Sequence, residues 1–433
     1  RIGADVVVND KKERPQCPEA DALSALGITV ICGGHPDDLV EGDVALVVKN
    51  PGIPYTIPPI VRAFQRGIPV VTEVEIASHL AGRRMIGITG SNGKTTTTTL
   101  TTMMLEASGL RAAAAGNIGR ALTEAALATE EDVWLVAELS SFQLKGTIDF
   151  RPRVACLLNL YETHLDYHGT MEDYAASKAK LFANLAEDDV AVYNRDDPFC
   201  RETAARARAK TFPFSMKEEL EQGVFIRGGT IVAAAESETT ELVPIRDIAM
   251  KGSHNVENAL AAAACALSAG AAAEGVRRVL RTFRGVEHRL EFVKEKDGIQ
   301  FYNDSKATNP TATVRSIEAF EGRPVVLVCG GLDRGSDYME LLPVFKEKVK
   351  AVVAMGQTKE KIARVAELAG LSHIVLVDTV DSAADTLRAA LKEASSLAEP
   401  GDIVLLSPAC ASWDMFPSYE ERGRIFKEAV HTL

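Results

Sequence analysis

One stretch of ten residues, GITGSNGKTT at positions 87–96, restricts the fold of this chain more than any other feature. It follows an apolar run at residues 85–88 and precedes a segment whose pattern predicts a helix to about Ala107. A strand, a glycine-rich turn, Lys-Thr and a helix form a phosphate-binding loop, because backbone N–H groups and the helix N-terminus attract phosphate oxygens. Lys94 would then reach the β- and γ-phosphates of a nucleotide, and the Thr95 hydroxyl would bind Mg²⁺.

The spacing of this loop is not the common one, in which a glycine stands five residues before the Gly-Lys pair. Ile88 occupies that position here, and Gly90 stands three residues before Gly93 instead. A Gly-Lys-Thr triplet alone also occurs in ordinary glycine turns. The threonine run at residues 95–99 favours the phosphate loop, because β-branched residues begin a helix poorly and bound phosphate would stabilise its N-terminus.

Length and charge exclude several classes of protein. The 433 residues are enough for two or three domains, and 46% hydrophobic with 25% charged residues is an ordinary globular balance. A net charge of -12 makes nucleic acid a poor partner, and we expect neither a membrane span nor a signal peptide. Seven cysteines without C-x-x-C spacing predict reduced thiols in a cytoplasmic protein.

The N-terminal region, residues 1–76, shows short strand patterns and a candidate ligand loop. The first strand ends at Asp10, and in nucleotide-binding α/β folds such an aspartate faces a ribose or base. A strand and a glycine turn normally precede it, so we expect the chain to begin inside its first βαβ unit. Residues 50–54 (NPGIP) form either a ligand loop beyond a strand end or a plain loop. Further strands are predicted at residues 28–32, 44–48 and 70–72.

In the second region, residues 77–285, polar side chains follow two predicted strands. Glu138 follows the strand at residues 133–137, beside the phosphate loop, where a Mg²⁺ ligand is expected. His164 and His168 come after the next strand, at residues 154–158. Taken alone, these histidines would more often be structural than functional, but their position at a strand end favours a functional role.

Helices of the same region carry further candidates. The helix at residues 171–185 holds Lys178 and Lys180, and spacing alone would make both solvated charges. Residues 211–250 are predicted to be rich in strands. Ser253 is the predicted N-cap of an alanine-rich helix. The first turn of that helix carries two amides that can meet a nucleotide or cap the helix, Asn255 and Asn258.

The third region, residues 286–433, alternates predicted strands with helices, which favours a parallel or mostly parallel sheet. The strands are predicted at residues 299–303, 325–329, 351–354, 374–377 and 403–406. Polar clusters follow three of them, at residues 304–309, 330–334 and 407–414. Because the carboxyl ends of parallel strands share one edge, the clusters predict a binding face. Turns with helix caps would explain one cluster, but less easily all three.

Four motifs resemble those of the Mur ligases: TGSNGKTT at 89–96, ELSSFQL at 138–144, HNVENA at 254–259 and NDSKATN at 303–309. Within that family, the tail SPACASWDMF at 407–416, with ERG at 421–423, is similar to the members that add D-glutamate. The resemblance covers essentially the whole chain and implies an α/β protein of three domains. These are an N-terminal Rossmann-like UDP-substrate domain that we expect to be truncated, a central P-loop ATPase domain and a C-terminal Rossmann-like amino-acid domain, at residues 1–76, 77–285 and 286–433.

The resemblance also implies a reaction and its partners. ATP phosphorylates the L-alanyl carboxylate of UDP-N-acetylmuramoyl-L-alanine, and the amine of D-glutamate then attacks the acyl phosphate. The amide product belongs to peptidoglycan precursor synthesis, which serves the cell wall, cell shape and cell division. Lys94 and two Mg²⁺ ions would neutralise the anions that meet in this reaction. We expect a cytoplasmic monomer that acts on these two substrates without nucleic acid.

Site residues follow from the resemblance, position by position. Lys94, His164 and Lys178 are the expected catalytic residues. Thr95 and Glu138 would hold the first Mg²⁺ and His164 the second, and Lys178 would be carbamylated into an anionic group near that second metal. ATP contacts are expected at Gly90, Asn92, Gly93, Lys94, Thr95, Thr96, Asn255, Asn258, Arg289 and Asp304. The UDP substrate would meet Asp10, Asn117 and Ser140, and the D-glutamate site is expected to include Lys306, Thr308, Arg334, Ser412, Trp413 and Tyr419.

Two positions depart from the family pattern. Thr163 stands where many relatives have an aspartate before the metal histidine, so that aspartate's supporting role is absent or is filled by Glu162 or Asp166. Arg334 stands where some relatives carry a lysine, and an arginine would pair with a carboxylate bidentately. These two departures concern the metal contacts and the D-glutamate contacts that the resemblance implies.

Two other functions are compatible with parts of the sequence. A sister amino-acid ligase, either another Mur ligase or a folylpolyglutamate synthetase, would share the ATPase centre, but the pattern at residues 407–416 argues against it. The second alternative is a nucleotide-binding homologue without catalytic activity. Four candidate catalytic and metal-binding residues are all present, which argues against it: Lys94, Glu138, His164 and Lys178. A P-loop motor or kinase fits less well, because neither an arginine finger nor a kinase signature is evident.

Overall fold

Two compact units make up the computed structural model, Arg1–Thr282 and Phe283–Leu433. The structure describes residues 3–82, 84–235, 238–250, 252–320 and 322–433, apart from the side chain of Asp166. The predicted role of the Asp166 carboxylate beside His164 therefore lies outside the described residues. Within the described ranges, no helix is both long and apolar enough to cross a membrane. The predicted division of the chain at residues 76 and 285 stays a prediction.

The first unit alternates short strands with helices along its whole length. Its strands are β1 Val7–Asp10, β2 Thr29–Cys32, β3 Val47–Lys49, β4 Val70–Thr72, β5 Met85–Thr89, β6 Ala112–Gly116, β7 Trp134–Glu138, β8 Val154–Leu157, β9 Val190–Tyr193, β10 Lys210–Thr211, β11 Phe214–Ser215, β12 Gly223–Arg227, β13 Thr230–Ala235 and β14 Glu238–Pro244. Its helices are α1 Glu19–Ala25, α2 Pro58–Gln65, α3 Glu73–Leu80, α4 Lys94–Ala107, α5 Leu122–Ala128, α6 Ser141–Lys145, α7 Leu165–His168, α8 Met171–Ala183, α9 Pro198–Arg206, α10 Ser253–Ser268 and α11 Ala273–Thr282.

A six-stranded parallel sheet lies in the middle of the first unit, with the strand order β10-β9-β8-β5-β7-β6. Strands β5 and β8 are buried along their whole length, as continuous apolar runs predict for a sheet covered on both faces. The register aligns Ile88 with Glu138 and Thr89 with Leu157. Glu138 and the residues after Leu157 therefore lie at the same edge of the sheet as the phosphate loop.

Three smaller sheets complete the first unit. Strand β1 pairs with β2 and β3 with β4, each in parallel, whereas β11–β14 form a mixed four-stranded sheet. The predicted N-terminal strands and the strand-rich segment at residues 211–250 are confirmed. Strand β3 lies at Val47–Lys49 rather than at the predicted residues 44–48.

The second unit contains one six-stranded sheet with the order β15-β16-β20-β17-β18-β19. Its strands are β15 Glu291–Lys296, β16 Ile299–Asn303, β17 Val325–Cys329, β18 Val349–Ala354, β19 His373–Leu376 and β20 Ile403–Leu406. Its helices are α12 Pro310–Glu318, α13 Leu342–Lys348, α14 Lys359–Leu368, α15 Ala383–Leu397 and α16 Tyr419–Thr432. The mostly parallel sheet is confirmed, and β15, which the sequence did not predict, pairs antiparallel with β16 at one edge.

The start of α10 differs from the prediction. Ser253 is the first residue of the helix, and the N-cap is Gly252, whose φ is 100°. Only glycine takes such a φ without strain, so the chain turns into the helix one residue earlier than the prediction placed it. The prediction of Ser253 as the N-cap is therefore wrong.

Candidate active site

The phosphate loop joins β5 to α4 in the layout that the sequence predicts. Gly93 is the N-cap of α4 with a φ of 84°, a left-handed value that glycine adopts without strain. The backbone N–H of Asn92 donates to Asn159 Oδ1 at 2.9 Å, and Ser91 Oγ lies 2.8 Å from Tyr174 Oη. The loop is therefore held from two sides, by Asn159, which follows β8, and by Tyr174 of helix α8.

Two glycines of this loop leave no room for a side chain. A Cβ atom on Gly90 would lie 2.7 Å from Leu158 Cβ, and one on Gly93 would collide with the amide oxygen of Asn258. Asn258 is buried in α10, and α10 packs along α4. Asn258 therefore lies beside the phosphate loop, where the resemblance expects an ATP contact. Asn255 precedes it by three residues, in the first turn of α10.

Lys94 and Lys178 both donate into the phosphate loop. Lys94 Nζ donates to the carbonyl oxygens of Gly90 and Ser91 at 2.9 and 3.0 Å, and Lys178 Nζ donates to Gly90 O at 2.8 Å. Lys178 is only 2% exposed. Burial first, and the Lys94 ammonium second, lower the pKa of Lys178 well below its usual value. Lys178 is thus a buried amine of the site, and the spacing-based interpretation of a solvated charge is wrong.

Lys180 is not a solvated charge either. It is partly buried, and its Nζ donates to the carbonyl oxygens of Lys145 and Thr147 at 2.7 and 2.9 Å. Burial lowers the pKa of Lys180. Lys180 therefore fastens α8 to the turn after α6, whereas Lys178, two residues earlier, reaches the phosphate loop.

Glu138 ends β7 as a buried carboxylate with one oxygen open for a further ligand. Asn117 Nδ2 donates to Glu138 Oε1 at 2.8 Å, whereas Oε2 has no hydrogen-bond partner among the described residues. A buried carboxylate oxygen without a partner is costly unless a cation binds it. Thr95 is also buried, in the first turn of the helix that follows the neighbouring strand β5. A carboxylate and a hydroxyl oxygen form a donor set that fits Mg²⁺.

His164 precedes α7 with a φ of 60°, a left-handed value that is uncommon for a non-glycine residue and frequent at functional sites. Its ring centroid lies 5.2 Å from that of Phe142 and 6.1 Å from that of Tyr174. The Tyr174 ring also lies 4.8 Å from Lys178 Nζ. Tyr174 therefore contacts three predicted parts of the site: the phosphate loop, His164 and Lys178.

His168 has a structural role in this arrangement. Its Nδ1 lies 2.6 Å from Asp173 Oδ2 and its Nε2 lies 3.0 Å from Ser141 Oγ, while its ring stacks on Phe142 at 5.4 Å. Burial lowers the pKa of His168, which favours a neutral ring at pH 7. Both ring nitrogens have protein partners, so His168 fits the structural alternative rather than a metal ligand.

In the second unit, Asp304 is a buried carboxylate directly after β16. Ser407 Oγ donates to Asp304 Oδ2 at 2.8 Å, and the Leu290 N–H donates to Oδ1 at 3.1 Å. Burial raises the pKa of Asp304 to about 6, against the opposing effect of these hydrogen bonds and of the Arg289 charge. Two residues predicted to contact ATP, Asp304 and Arg289, are therefore close enough to interact.

Four residues predicted for the D-glutamate site form two cation–aromatic pairs. Lys306 Nζ lies 5.9 Å from the Tyr419 ring centroid, and the Arg334 guanidinium lies 4.9 Å from the Trp413 ring. Trp413 is 66% exposed, so its pair with Arg334 stands at the surface of the second unit. Stacking on an aromatic ring orients a guanidinium without neutralising it, so Arg334 is available to pair with an anion.

For four other residues predicted to bind substrate, the structure gives contacts within the protein or the degree of burial. Asp10 Oδ1 accepts the Lys12 N–H at 2.8 Å at the end of β1. Ser140 is the N-cap of α6, within a reciprocal capping box. Ser412 is buried and Thr308 is partly buried. The substrate roles of these four residues stay predictions.

Three residues with organising contacts were given no role from the sequence, although Arg422 lies in the ERG motif at 421–423. Asn159 and Tyr174 hold the phosphate loop, as described above. Arg422, only 1% exposed, donates to the carbonyl oxygens of Ser305 and Cys410 at 2.9 and 3.2 Å, and burial lowers its pKa to about 10. For Asn159, the signal was its place directly after a buried strand, whereas no spacing pattern marks Tyr174.

Comparisons with known proteins identify the family. The family model described as Mur ligase middle domain matches residues 88–266, and the one described as Mur ligase, glutamate ligase domain matches residues 288–410. A UDP-N-acetylmuramoylalanine--D-glutamate ligase of Geobacillus kaustophilus is 51% identical over 432 residues, which cover 100% of this chain and 93% of that relative. The chain belongs to the Mur ligase family. A Mur ligase of the same printed name, from Bacillus cereus (strain B4264), is 46% identical over 433 residues with the same coverage.

Solved Mur ligase structures share the fold of the chain at lower identity. UDP-N-acetylmuramate-alanine ligase MurC from Thermotoga maritima has a TM-score of 0.54 and 20% identity, covering 99% of this chain and 94% of its own. MurF ligase from Thermotoga maritima, solved in complex with ADP, has a TM-score of 0.53 and 21% identity, covering 92% and 97%. The predicted α/β fold of the Mur ligases is thereby confirmed.

Proposed function

We propose that this Mur ligase uses ATP to add D-glutamate to UDP-N-acetylmuramoyl-L-alanine, in peptidoglycan precursor synthesis. The observation that carries the proposal is the 51% identity, over the full chain, to a relative of that printed name. The residues of the first unit support it, because a phosphate loop, a carboxylate with an open oxygen and a buried amine lie at one edge of the sheet.

The nucleotide end of the site suits transfer of a phosphoryl group to a carboxylate. Lys94 Nζ, held over the loop by two carbonyl oxygens, would bind the phosphates and offset their charge as the substrate carboxylate approaches. Bound Mg²⁺ would add neutralising charge there, and Thr95, Glu138 and His164 are the residues proposed to hold it. The carboxylate oxygen bonds to the γ-phosphorus and the bond to ADP breaks. The amine then attacks the acyl carbon, loses a proton, and phosphate leaves.

We also propose that Lys178 acts as its carbamate. The neutral Nζ atom attacks the carbon of CO₂, an N–C bond forms, and the nitrogen releases a proton. The lowered pKa of Lys178 supports this step, because only the neutral amine is nucleophilic. The product carries a negative charge where an ammonium would repel both Lys94 and a nearby cation.

The second unit offers two cations for a dicarboxylate amino acid. Arg334 is oriented by Trp413, and Lys306 lies over Tyr419. Either cation can bind a carboxylate of D-glutamate, and the guanidinium can do so with two parallel hydrogen bonds. This chemistry favours an acidic amino acid over lysine or alanine as the incoming amine.

The experiment that tests the function is coupled ADP release with UDP-N-acetylmuramoyl-L-alanine. D-Glutamate is compared with L-glutamate, L-lysine and meso-diaminopimelate, and each substrate is omitted in turn. We expect ADP release only when D-glutamate and the UDP substrate are both present. Preference for another amino acid would favour a sister ligase, and equal ATP hydrolysis without D-glutamate would contradict the coupled mechanism.

We further propose a cytoplasmic monomer of three domains, divided near residues 76 and 285. The boundary between the two compact units, after Thr282, supports the second division. Sedimentation of the purified chain tests the monomer, and limited proteolysis tests whether cleavage concentrates near the two boundaries.

A further inference from the structure

A lysine that has no carboxylate partner among the described side chains lies inside the first unit. Lys49, the last residue of β3, is 3% exposed. Its Nζ donates to the carbonyl oxygens of Asn50 and Pro51 at 3.1 Å each and to Tyr167 Oη at 3.4 Å, and it lies 4.4 Å from the centroid of the Tyr55 ring. Within the described ranges, no carboxylate forms an ion pair with it. Lys49 is therefore a buried cation bound only by neutral groups.

The charges around Lys49 make its burial more costly. Lys145 Nζ lies 5.3 Å from the same Tyr55 ring, and its ion pair is made with Asp173 at 2.7 Å. Asp173 Oδ2 also lies 2.6 Å from His168 Nδ1. Burial first, and Lys145 second, lower the pKa of Lys49 to about 8. A lowered pKa means that the folded state disfavours the ammonium form, so the charge itself costs stability below about pH 8.

The hydrogen bonds of Lys49 join two segments that are far apart in sequence. Tyr167 Oη accepts from Lys49 and donates to Pro51 O at 2.9 Å, so the phenol and two carbonyl groups close around one ammonium. The carbonyl groups belong to the loop at residues 50–54, which follows a parallel strand and is a candidate ligand loop. The phenol belongs to α7, the short helix that follows His164.

The Phe142 ring contacts both Tyr167 and His164 and so links these two residues. The Phe142 ring centroid lies 4.3 Å from that of Tyr167 and 5.2 Å from that of His164, edge-on in both cases. Tyr167 and His164 are also joined directly by the first hydrogen bond of α7, from Tyr167 N to His164 O at 3.2 Å. A shift of Tyr167 would therefore move the helix that orients His164.

We propose that Lys49 and Tyr167 are positioning residues that tie the loop at residues 50–54 to helix α7, so that substrate binding at the loop and the orientation of His164 are coupled. This inference rests on the proposed function, in which the N-terminal region binds the UDP-linked substrate. A lysine suits the role because one ammonium supplies three donors to three acceptors on two segments.

The first test compares Lys49→Met, Tyr167→Phe and the double variant of the complete chain by ADP release. Each single variant should raise the KM for the UDP substrate and lower kcat, by about tenfold in kcat/KM, with the KM for ATP nearly unchanged. The two effects should be less than additive in the double variant, because both substitutions remove the Lys49–Tyr167 hydrogen bond, while Tyr167→Phe also removes the bond from Tyr167 Oη to Pro51 O. Lys180→Met is the matched control, since Lys180 also donates to two carbonyl groups but does not contact the loop or α7.

Thermal unfolding separates positioning from a merely structural role. Lys49→Met should keep or raise Tm at pH 7, because it removes a buried ammonium while keeping the volume of the side chain. A lowered Tm together with wild-type kinetics would overturn the proposal, and so would additive effects in the double variant.

Hydrogen exchange at α7 gives a measurement that does not depend on catalysis. The N–H groups of Tyr167 and His168, which bond to His164 O, should exchange about tenfold faster in Lys49→Met but not in Lys180→Met. Unchanged exchange would overturn the coupling even if the wild-type chain were active. Faster exchange in a chain without ligase activity would instead keep the coupling and reject the proposed function.

Discussion

Lys94 and Lys178 donate to the same acceptor, the carbonyl oxygen of Gly90, at 2.9 and 2.8 Å. Two ammonium groups at one oxygen repel each other, and Lys178 is the more deeply buried of the two. Burial first, and the charge of Lys94 second, therefore lower the pKa of Lys178, so this amine loses its proton more readily than an exposed lysine does. A bound phosphate on the side of Lys94 or a carbamate on Lys178 would relieve the repulsion.

Replacing Lys178 should separate chemistry from nucleotide binding. We expect Lys178→Ala to lower kcat by about 10²-fold, the usual loss when one group that stabilises developing charge is removed. ATP should still bind through Lys94 and the loop. Acetate should partly restore the rate by occupying the vacated anionic position, as measured by ADP release across an acetate series.

Lys180→Ala is the control for that experiment. It removes two hydrogen bonds to the turn after α6 and should lower stability modestly while keeping kcat. A wild-type kcat in Lys178→Ala, or a larger loss of kcat in Lys180→Ala, would reject the assignment of Lys178.

Glu138 should control the Mg²⁺ requirement. Glu138→Gln keeps an oxygen for the Asn117 amide but removes the charge at the open oxygen, so the Mg²⁺ concentration for half-maximal activity should rise. Asn117→Ala should also raise this Mg²⁺ concentration, by about 10-fold and by less than Glu138→Gln does, because it removes the partner that orients the carboxylate. A Mg²⁺ titration of both variants that matches the wild type would exclude Glu138 as a ligand.

The sequence predicted the sheets and the phosphate loop because these depend on local patterns. Strands β4, β16, β17 and β20 have the predicted bounds, and α4 ends at Ala107 as expected. Strand β15 was missed because four of its six residues are charged and the strand is partly exposed at an edge of the sheet. Ser253 was given the N-cap role because serine favours caps, whereas the positive φ of Gly252 starts the helix one residue earlier.

The chemistry of single side chains was harder to predict than the fold. Lys178 is buried because α8 packs against the sheet. The position of a lysine in a helical sequence pattern does not indicate such burial. The structural bonds of His168 depend on Asp173 and Ser141, which lie on two different helices. Residues such as Lys49 act through long-range contacts that no local motif records.

Asp304 should give the second unit a pH-dependent stability. Its pKa of about 6 in the folded protein lies above the ordinary 3.8, so the folded state binds more protons between these values and loses stability as pH rises through them. Asp304→Asn removes this term, and its unfolding free energy relative to the wild type should increase by up to about 3 kcal/mol from pH 4 to pH 7. Urea unfolding at both pH values measures the difference, and Asp381→Asn, at an exposed position, is the control.

Gly93 should be more sensitive to substitution than another glycine at the far end of α4. Gly93 has a φ of 84° and Gly109 a φ of 80°, so alanine strains the backbone at both by roughly 1 kcal/mol or more. A Cβ at Gly109 meets nothing within 4 Å, whereas one at Gly93 collides with the Asn258 amide oxygen beside the phosphate loop. Gly93→Ala should therefore lose ATP binding in calorimetry, and Gly109→Ala should lose only stability. Equal ATP affinity in the two variants would show that the close approach of Gly93 and Asn258 is not needed for the nucleotide.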